Sequence, residues 1–445
     1  MFIVVASLDN AAVAVLPSLY GVVAADLGVP EGALGLVTAL TILVTAVTGV
    51  VWGYLGDRHN RKLLLVAGTL TWAAGIGGAG FAGSYAGVLA GHVVAAVGLG
   101  AIASIGFSVV ADLVSPRRRG LAMSFWGLSQ GLGTGPGMIG GGVLGATDWQ
   151  RPFRWLALLA VVAGLAYLFA EETPRGAREQ TLQSMFARGE GYGYTIRRAD
   201  LPELARRRTN LWLVAQGFTA QFAYGSLVWL PRLFQAKVQA AGYPLETATM
   251  VGSLFAAVFQ LGGVFSILGG WVGDRWARRD QRGRALVSAI GILGGIPFYL
   301  ALFAMPLSLE LPAHPTPAQA VTATLASIVT EPTVAVTFLV ALVALALTSA
   351  DSPNWFALIA DVNLPEHRGT VYGLGNLSNG LGRSAGNALV GYAFGWLTAA
   401  FPPPLNYVLG LSAFQAFFLP TGWCYLQAAR TSPGDMATVG AVLAA

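Results

Sequence analysis

The chain reads as an all-α membrane protein, with twelve transmembrane helices arranged as two pseudo-symmetric six-helix bundles. Three observations predict this. Of 445 residues, 55% are hydrophobic and 11% are charged, against about 25% charged in soluble domains. Apolar runs of roughly 20 residues, the length a helix needs to cross a bilayer, recur along almost the whole chain. Features of the first half also return in the second. Asp112, Pro116, Arg119 and Gly120 reappear as Asp361, Pro365, Arg368 and Gly369, and L-S-Q-G-L-G at 128–133 returns as L-S-N-G-L-G at 377–382.

The predicted spans are 2–25, 33–55, 63–83, 86–113, 121–145 and 153–171 in the first half. Those of the second half are 211–231, 248–273, 285–306, 333–360, 370–398 and 405–428. The first is expected to be a genuine helix, because Asp9 and Asn10 would interrupt the apolar centre of a signal peptide. The second and third bracket a tight charged hairpin, G-Y-L-G-D-R-H-N-R-K at 53–62. The loops placed inside, 56–62, 112–120, 171–210, 274–284 and 361–369, carry 20 Lys or Arg residues. The outside loops carry four: Arg151, Arg154, Arg232 and Lys237. That bias puts both termini in the cytoplasm.

The same distribution accounts for the +5 net charge, so no nucleic-acid partner is expected. Domain boundaries follow: a first bundle over 1–171, a cytoplasmic linker over 172–210, a second bundle over 211–430 and a tail over 431–445. The other long connection, Pro306 to Pro332, lacks basic residues and belongs outside. Cys424 is the one cysteine, so neither a disulfide framework nor a thiolate metal site is available. Only Lys62 and Lys237 are lysine among 26 basic residues, which suggests a GC-rich bacterial genome and hence a bacterial inner membrane. A monomer surrounded by membrane lipids is expected.

The hairpin at 53–62 resembles the loop between the second and third helices of major facilitator superfamily transporters, G-x-L-x-D-R-x-x-R-K. A second copy, G-W-V-G-D-R, lies at 270–275. The resemblance implies the major facilitator fold, with parallel repeats around a central substrate site. It also implies a cytoplasmic gate, to which we assign Asp57, Arg58, Arg61, Asp274 and Arg275. Residues 131–141, G-L-G-T-G-P-G-M-I-G-G, resemble the glycine–proline motif of superfamily antiporters, with the last glycine pair displaced by one position. Close helix packing explains that motif equally well.

Ionisable residues inside a bilayer cost at least ~2.5 kcal/mol each when charged, so those present are functional candidates. Asp9, His92, Asp351 and Arg383 qualify. Each has a plainer reading, as a group facing a wet cavity or fixing helix packing. Asn376, Asn379, Arg383 and Asn387 recur at spacings of three and four, placing a polar stripe on the eleventh span. Arg383 needs an anion there: Asp351, at a similar depth by residue count, or a substrate phosphate or carboxylate held in bidentate fashion. Asp9, His92 and Asp351 are the candidate proton-coupling groups.

The seventh span adds Gln216, Thr219 and Tyr224 to the candidate substrate site, and the fifth adds Trp126, Ser129 and Gln130. Phe222, Trp229 and Trp355 are further aromatic candidates, though each could equally be packing or lipid-facing surface. Few polar groups among so many aromatic ones favour an amphipathic ligand over a sugar. No nucleophile–base pair, metal-ligand spacing or phosphate loop is evident, so neither an enzyme nor a cofactor is expected.

Within the superfamily the N-terminal half resembles the spinster family of lysolipid and sphingolipid transporters, and the resemblance covers about half the chain. The resemblance is carried by D-N-A-A-V-A-V-L-P at 9–17, the 53–62 hairpin, A-D-L-V at 111–114, E-E-T-P-R-G at 171–176 and G-S-L-V-W-L-P at 225–231. It implies proton-linked transport of a lysophospholipid-like substrate, with Asp9 paired to a basic residue of the fourth helix. That family's fourth helix carries R-G-x-x-G-x-G-E. Here His92 stands at the arginine position and Leu99 at the glutamate position. The departure puts any proton step at Leu99 in doubt and makes an Asp9–His92 pair the expectation. A proton-coupled multidrug exporter and a non-transporting membrane receptor are the competing readings. Asp9→Asn is expected to abolish the pH dependence of transport, measured as flux across a pH series in proteoliposomes. An unchanged profile would remove Asp9 from the coupling.

Overall fold

A computed structural model describes residues 2–106, 109, 133–169, 204, 206–307, 309–312 and 315–444. The side chains of 2–7, 9, 57, 365, 366, 369 and 442–444 lie outside that description, as do Trp126, Ser129, Gln130 and most of the expected linker. Every described element is helical. The residues fall into two compact units, one drawn from 1–193, 242–257 and 314–320, the other from 194–241, 258–313 and 321–445.

The first unit begins with α1 (Phe2–Ser18) and α2 (Tyr20–Leu27). These share one predicted span but bend by 59°. Pro17 explains the bend, since it has no N–H for the preceding turn and crowds that turn's carbonyl. Gly28, at φ +63°, ends α2 in the left-handed conformation that suits glycine. Next come α3 (Glu31–Arg58) and α4 (Arg61–Ala79), joined by a hairpin whose Asn60 side chain caps α4 by accepting from Leu63 N at 3.0 Å. Then α5 (Tyr85–Ala101), α6 (133–145) and α7 (Gln150–Tyr167) follow. The α4 and α5 backbones meet directly: a side chain at Gly75 or Gly91 would strike the partner helix's main chain. Small residues permit this approach, the usual basis of helix association in lipid.

The second unit contains α8 (Arg208–Ser226), α9 (Leu230–Ala240) and, after α10 (Leu245–Phe259) of the first unit, α11 (Ser266–Ala277) and α12 (Gly283–Ala304). α14 (Pro332–Ser349) and α15 (Asp351–Asp361) make one predicted span that is interrupted at Ala350. Pro353 has no N–H for the Ser349 carbonyl, which is why the ladder breaks there. α16 (Pro365–Thr398), α17 (Leu405–Gln415) and α18 (Phe418–Ala444) complete the unit. Six described helical stretches are long and apolar enough to cross a membrane, or seven if α1 and α2 form one span.

Two segments differ from expectation. The 306–332 connection contains a helix, α13 (Pro317–Thr330). Its start is a reciprocal cap: Thr316 N donates to Gln319 Oε1 at 2.9 Å, and Gln319 N donates to Thr316 Oγ1 at 3.3 Å. Pro317 suits the first helical position. Beyond residue 430, where a tail is expected, α18 simply continues. Asp435 on this extension accepts from Thr209 N at 3.0 Å, and Thr431 and Thr209 share a 2.7 Å hydroxyl contact. The carboxylate thereby satisfies an otherwise free N–H in the first turn of α8. Nearby, Arg207 donates to the Val362 carbonyl at 2.9 Å, while the Asn210 and Asn363 amides exchange hydrogen bonds at 2.8 and 2.7 Å.

α8 and α16 pack most intimately. A side chain at Gly382 or Gly386 would strike the backbone carbonyls of Phe218 and Phe222. Gly386→Val is therefore expected to destabilise the protein by about 1–3 kcal/mol or prevent its accumulation. Thermal unfolding in detergent and the yield recovered from membranes measure this. A variant as stable as the parent would show that the contact is dispensable.

Candidate functional site

In the second unit α16 does not present its polar stripe to one environment. Asn387 is fully buried, its backbone carbonyl accepting from Trp229 Nε1 at 3.1 Å. Asn379 is half-buried, with its amide oxygen against Gly217 of α8. Asn376 and Arg383 are exposed. The glycines at 382 and 386, with Gly225 against the Arg383 carbonyl, draw that side of α16 onto α8, and the side chains of Arg383 and Asn376 stay exposed. Arg383 has no hydrogen bond or ion pair with any described residue.

The sequence offers Asp351 as a partner for Arg383, and the structure gives Asp351 another one. This buried carboxylate opens α15 and accepts a short hydrogen bond from the Tyr425 hydroxyl of α18. Tyrosines from two further helices converge beside it: Tyr224 donates to the Thr348 carbonyl at 3.0 Å, and the Tyr299 and Thr348 hydroxyls lie 3.2 Å apart. Four helices thus close around Asp351. Tyr425 and Tyr299 are part of the site although neither was picked out from the sequence. Their signal there was only a phenol within an apolar span.

On α8, Gln216 is buried and its Oε1 lacks a partner, while Thr219 Oγ1 lies 2.8 Å from Thr421 Oγ1. The aromatic candidates mostly belong to the core. Trp229 packs against Phe394, and Trp355 donates to the Leu213 carbonyl at 3.1 Å. Both are too buried to form a wall for a ligand. The partly open aromatic surface is instead Phe218, Phe414 and Phe417, grouped around Phe222, whose ring centroid lies 4.1 Å from Phe417 and 5.4 Å from Phe414.

In the first unit His92 is buried in α5, its Nδ1 2.9 Å from the Val88 carbonyl. Asp9 lies on α1, but its side chain is outside the described set, as is that of Asp57. Arg58 is exposed over the Tyr54 ring, and Arg61 is buried at the start of α4. At the corresponding place in the second unit, Asp274 pairs with Arg284 at 2.6 Å, and Arg284 reaches Asp361 at 3.0 Å. Arg275, expected in this gate, lies over the Trp271 ring. Arg284 opens α12 much as Arg61 opens α4.

The family model for the Major Facilitator Superfamily matches residues 1–387, and the chain belongs to that superfamily. It is a multi-pass membrane protein with the twelve-helix, two-bundle fold of those transporters. Within the superfamily it is similar to the spinster transporters. It is 32% identical over 294 residues to Protein spinster homolog 1 of Bos taurus, covering 62% of this chain and 54% of that protein. It is 28% identical over 300 residues to the sphingosine-1-phosphate transporter SPNS2 of Xenopus tropicalis, covering 64% and 56%. The chain thus spans about half the length of these curated relatives. Among solved structures, a bacterial homologue of the human lysosomal transporter spinster matches with TM-score 0.71 at 18% identity, over 98% of this chain and 96% of that one. A D-xylose–proton symporter matches with TM-score 0.62 at 17% identity, covering 97% and 94%.

Arg284→Gln removes both ion pairs at the ends of α11 and α15. Because the two carboxylates are substantially exposed, the expected stability loss is modest, about 1 kcal/mol or less. Thermal unfolding at low and high salt checks this. A loss that does not shrink with salt would show that Arg284 acts through packing.

Proposed function

We propose that this transporter moves an amphipathic lipid, a lysophospholipid foremost, by alternating access coupled to protons. The observation that carries the reading is Arg383, a guanidinium on a membrane-spanning helix with no anionic partner among the described residues. The one intramembrane carboxylate expected to neutralise it is held by Tyr425. A phosphate-bearing head group supplies the missing charge, which guanidinium accepts through paired hydrogen bonds. Asn376 and Asn379 flank the head-group position, with Gln216, Thr219 and Tyr224 contributed by α8. Phe218, Phe414 and Phe417 offer apolar surface for the acyl chain. The curated relatives, one named for sphingosine-1-phosphate transport, support a lipid of this chemistry.

The bundles are 1–171 and 211–430, joined by a cytoplasmic linker over 172–210, with both termini on the cytoplasmic side of a bacterial inner membrane. Asp9, His92 and Asp351 carry the coupling protons. Trp126, Ser129 and Gln130 complete the substrate site from the first bundle, and the protein works as a monomer. Asp57, Arg58, Arg61, Asp274 and Arg275 belong to the cytoplasmic gate, to which Arg284 is added on its two ion pairs.

Purified protein titrated with lysophospholipids, sugars and cationic drugs tests the cargo by thermal shift, followed by tracer flux in proteoliposomes. Lysophospholipid is expected to stabilise the parent and to bind about 10- to 100-fold more weakly to Arg383→Ala, the loss of a charge-assisted hydrogen-bond pair. Stabilisation by sugars and not by lysolipids would overturn the reading. Stabilisation by cationic drugs alone would favour the multidrug exporter. Binding without flux would favour a receptor.

A further inference from the structure

α1, α3, α4 and α5 of the first unit enclose a small space between Thr38, Thr41, Trp72 and His92, lined otherwise by apolar residues. His92 is 4% exposed and Trp72 is fully buried, yet His92 Nε2 and Trp72 Nε1 both lack a hydrogen-bond partner. Leaving a buried polar atom unsatisfied is costly, so two around one space call for a shared partner.

Hydrogen-bond chemistry fixes what that partner must do. A carbonyl only accepts, so the contact with Val88 O requires a proton on His92 Nδ1. In the neutral ring Nε2 is then a lone pair needing a donor. Indole Nε1 is a donor only and needs an acceptor. Thr38 Oγ1 already accepts from Tyr20 at 2.7 Å, which leaves its own proton free. Thr41 Oγ1 donates to the Val37 carbonyl at 2.8 Å, which leaves its lone pairs free. The four groups thus offer two donors and two acceptors, the complement of one water molecule. The cavity, about 10 Å³, sits at the threshold for a single water.

The geometry points to one bound water that donates to His92 Nε2 and Thr41, accepts from Trp72 and Thr38, and relays protons to and from His92. The relay deepens the proton-coupled reading and rests on it, whereas the water site does not. An excess proton arriving on that water passes to Nε2: the ring becomes imidazolium, the water returns to its neutral form, and Trp72 and Thr38 keep their own protons. Nδ1 keeps its proton throughout. Among the described residues, the ionisable groups contributed by surrounding elements are Tyr20, bonded to Thr38, and Arg154 with Asp148, beside the Phe153 ring that meets the imidazole edge-on at 5.6 Å. By spacing, Asp9 precedes Ala12 and Val13, which line the same cavity, by about one turn.

The protein has four histidines, so the full chain labelled with ¹⁵N-histidine in lipid nanodiscs gives few ring signals, and His92→Gln identifies the relevant one. The expected spectrum shows the Nδ1–H tautomer with a water cross-peak to the ring, lost in the near-isosteric double variant Thr38→Val/Thr41→Val, which removes one donor and one acceptor of the water. Absence of the cross-peak in the parent, or its survival in the double variant, overturns the water site. Flux across a pH series then tests the relay: pH dependence is expected to be lost in His92→Gln. If Asp9→Asn alone abolishes it, the relay fails and coupling stands. If parent flux ignores pH, coupling itself fails, and the water result is judged by the spectrum alone.

Discussion

A charge inside a lipid bilayer is tolerated only where something answers it, and that constraint organises the second unit. Asp351 is answered by Tyr425, in a setting that also draws in Tyr224, Tyr299 and Thr348 from neighbouring helices. The site is tight because α14 and α15 meet there, at an interruption imposed by Pro353. With that carboxylate occupied, Arg383 is left without a counter-charge among the described residues. An enclosed acid and an open base thus sit on neighbouring helices.

The helices that carry these groups are held by backbone contact. α8 and α16 touch where Gly382 and Gly386 remove the side chains that would separate them, and α4 and α5 do the same at Gly75 and Gly91. Lipid tails compete with any apolar side chain for contact, so water expulsion cannot drive such pairs together, and close main-chain approach has to do so. That approach also sets which residues of α16 are covered. The polar stripe is consequently divided between a packed part, at Asn387 and Asn379, and an open part, at Asn376 and Arg383.

Much of this was legible in the residues. The span pattern, the repeated D-R hairpins and the isolated intramembrane charges each follow from hydropathy and spacing. What could not be read is who meets whom. Arg284 lies ten residues beyond Asp274 across a loop, and Tyr425 lies 74 residues from Asp351, separations to which no periodicity speaks. Trp229 and Trp355 show a second limit, since an aromatic in an apolar span looks the same whether it lines a chamber or fills a core. α13 shows a third: T-P-A-Q at 316–319 is a helix start, but a search for apolar runs passes over it.

The clasp between α18 and α8 has a practical side. Asp435 lies beyond the last span predicted from the sequence, 405–428, yet it supplies the acceptor for the opening turn of α8. Shortening the protein after residue 430 would strip that carboxylate and leave the entry to the second half of the molecule frayed. The final stretch is therefore a splint, and affinity handles or fluorophores are better attached after it than in place of it.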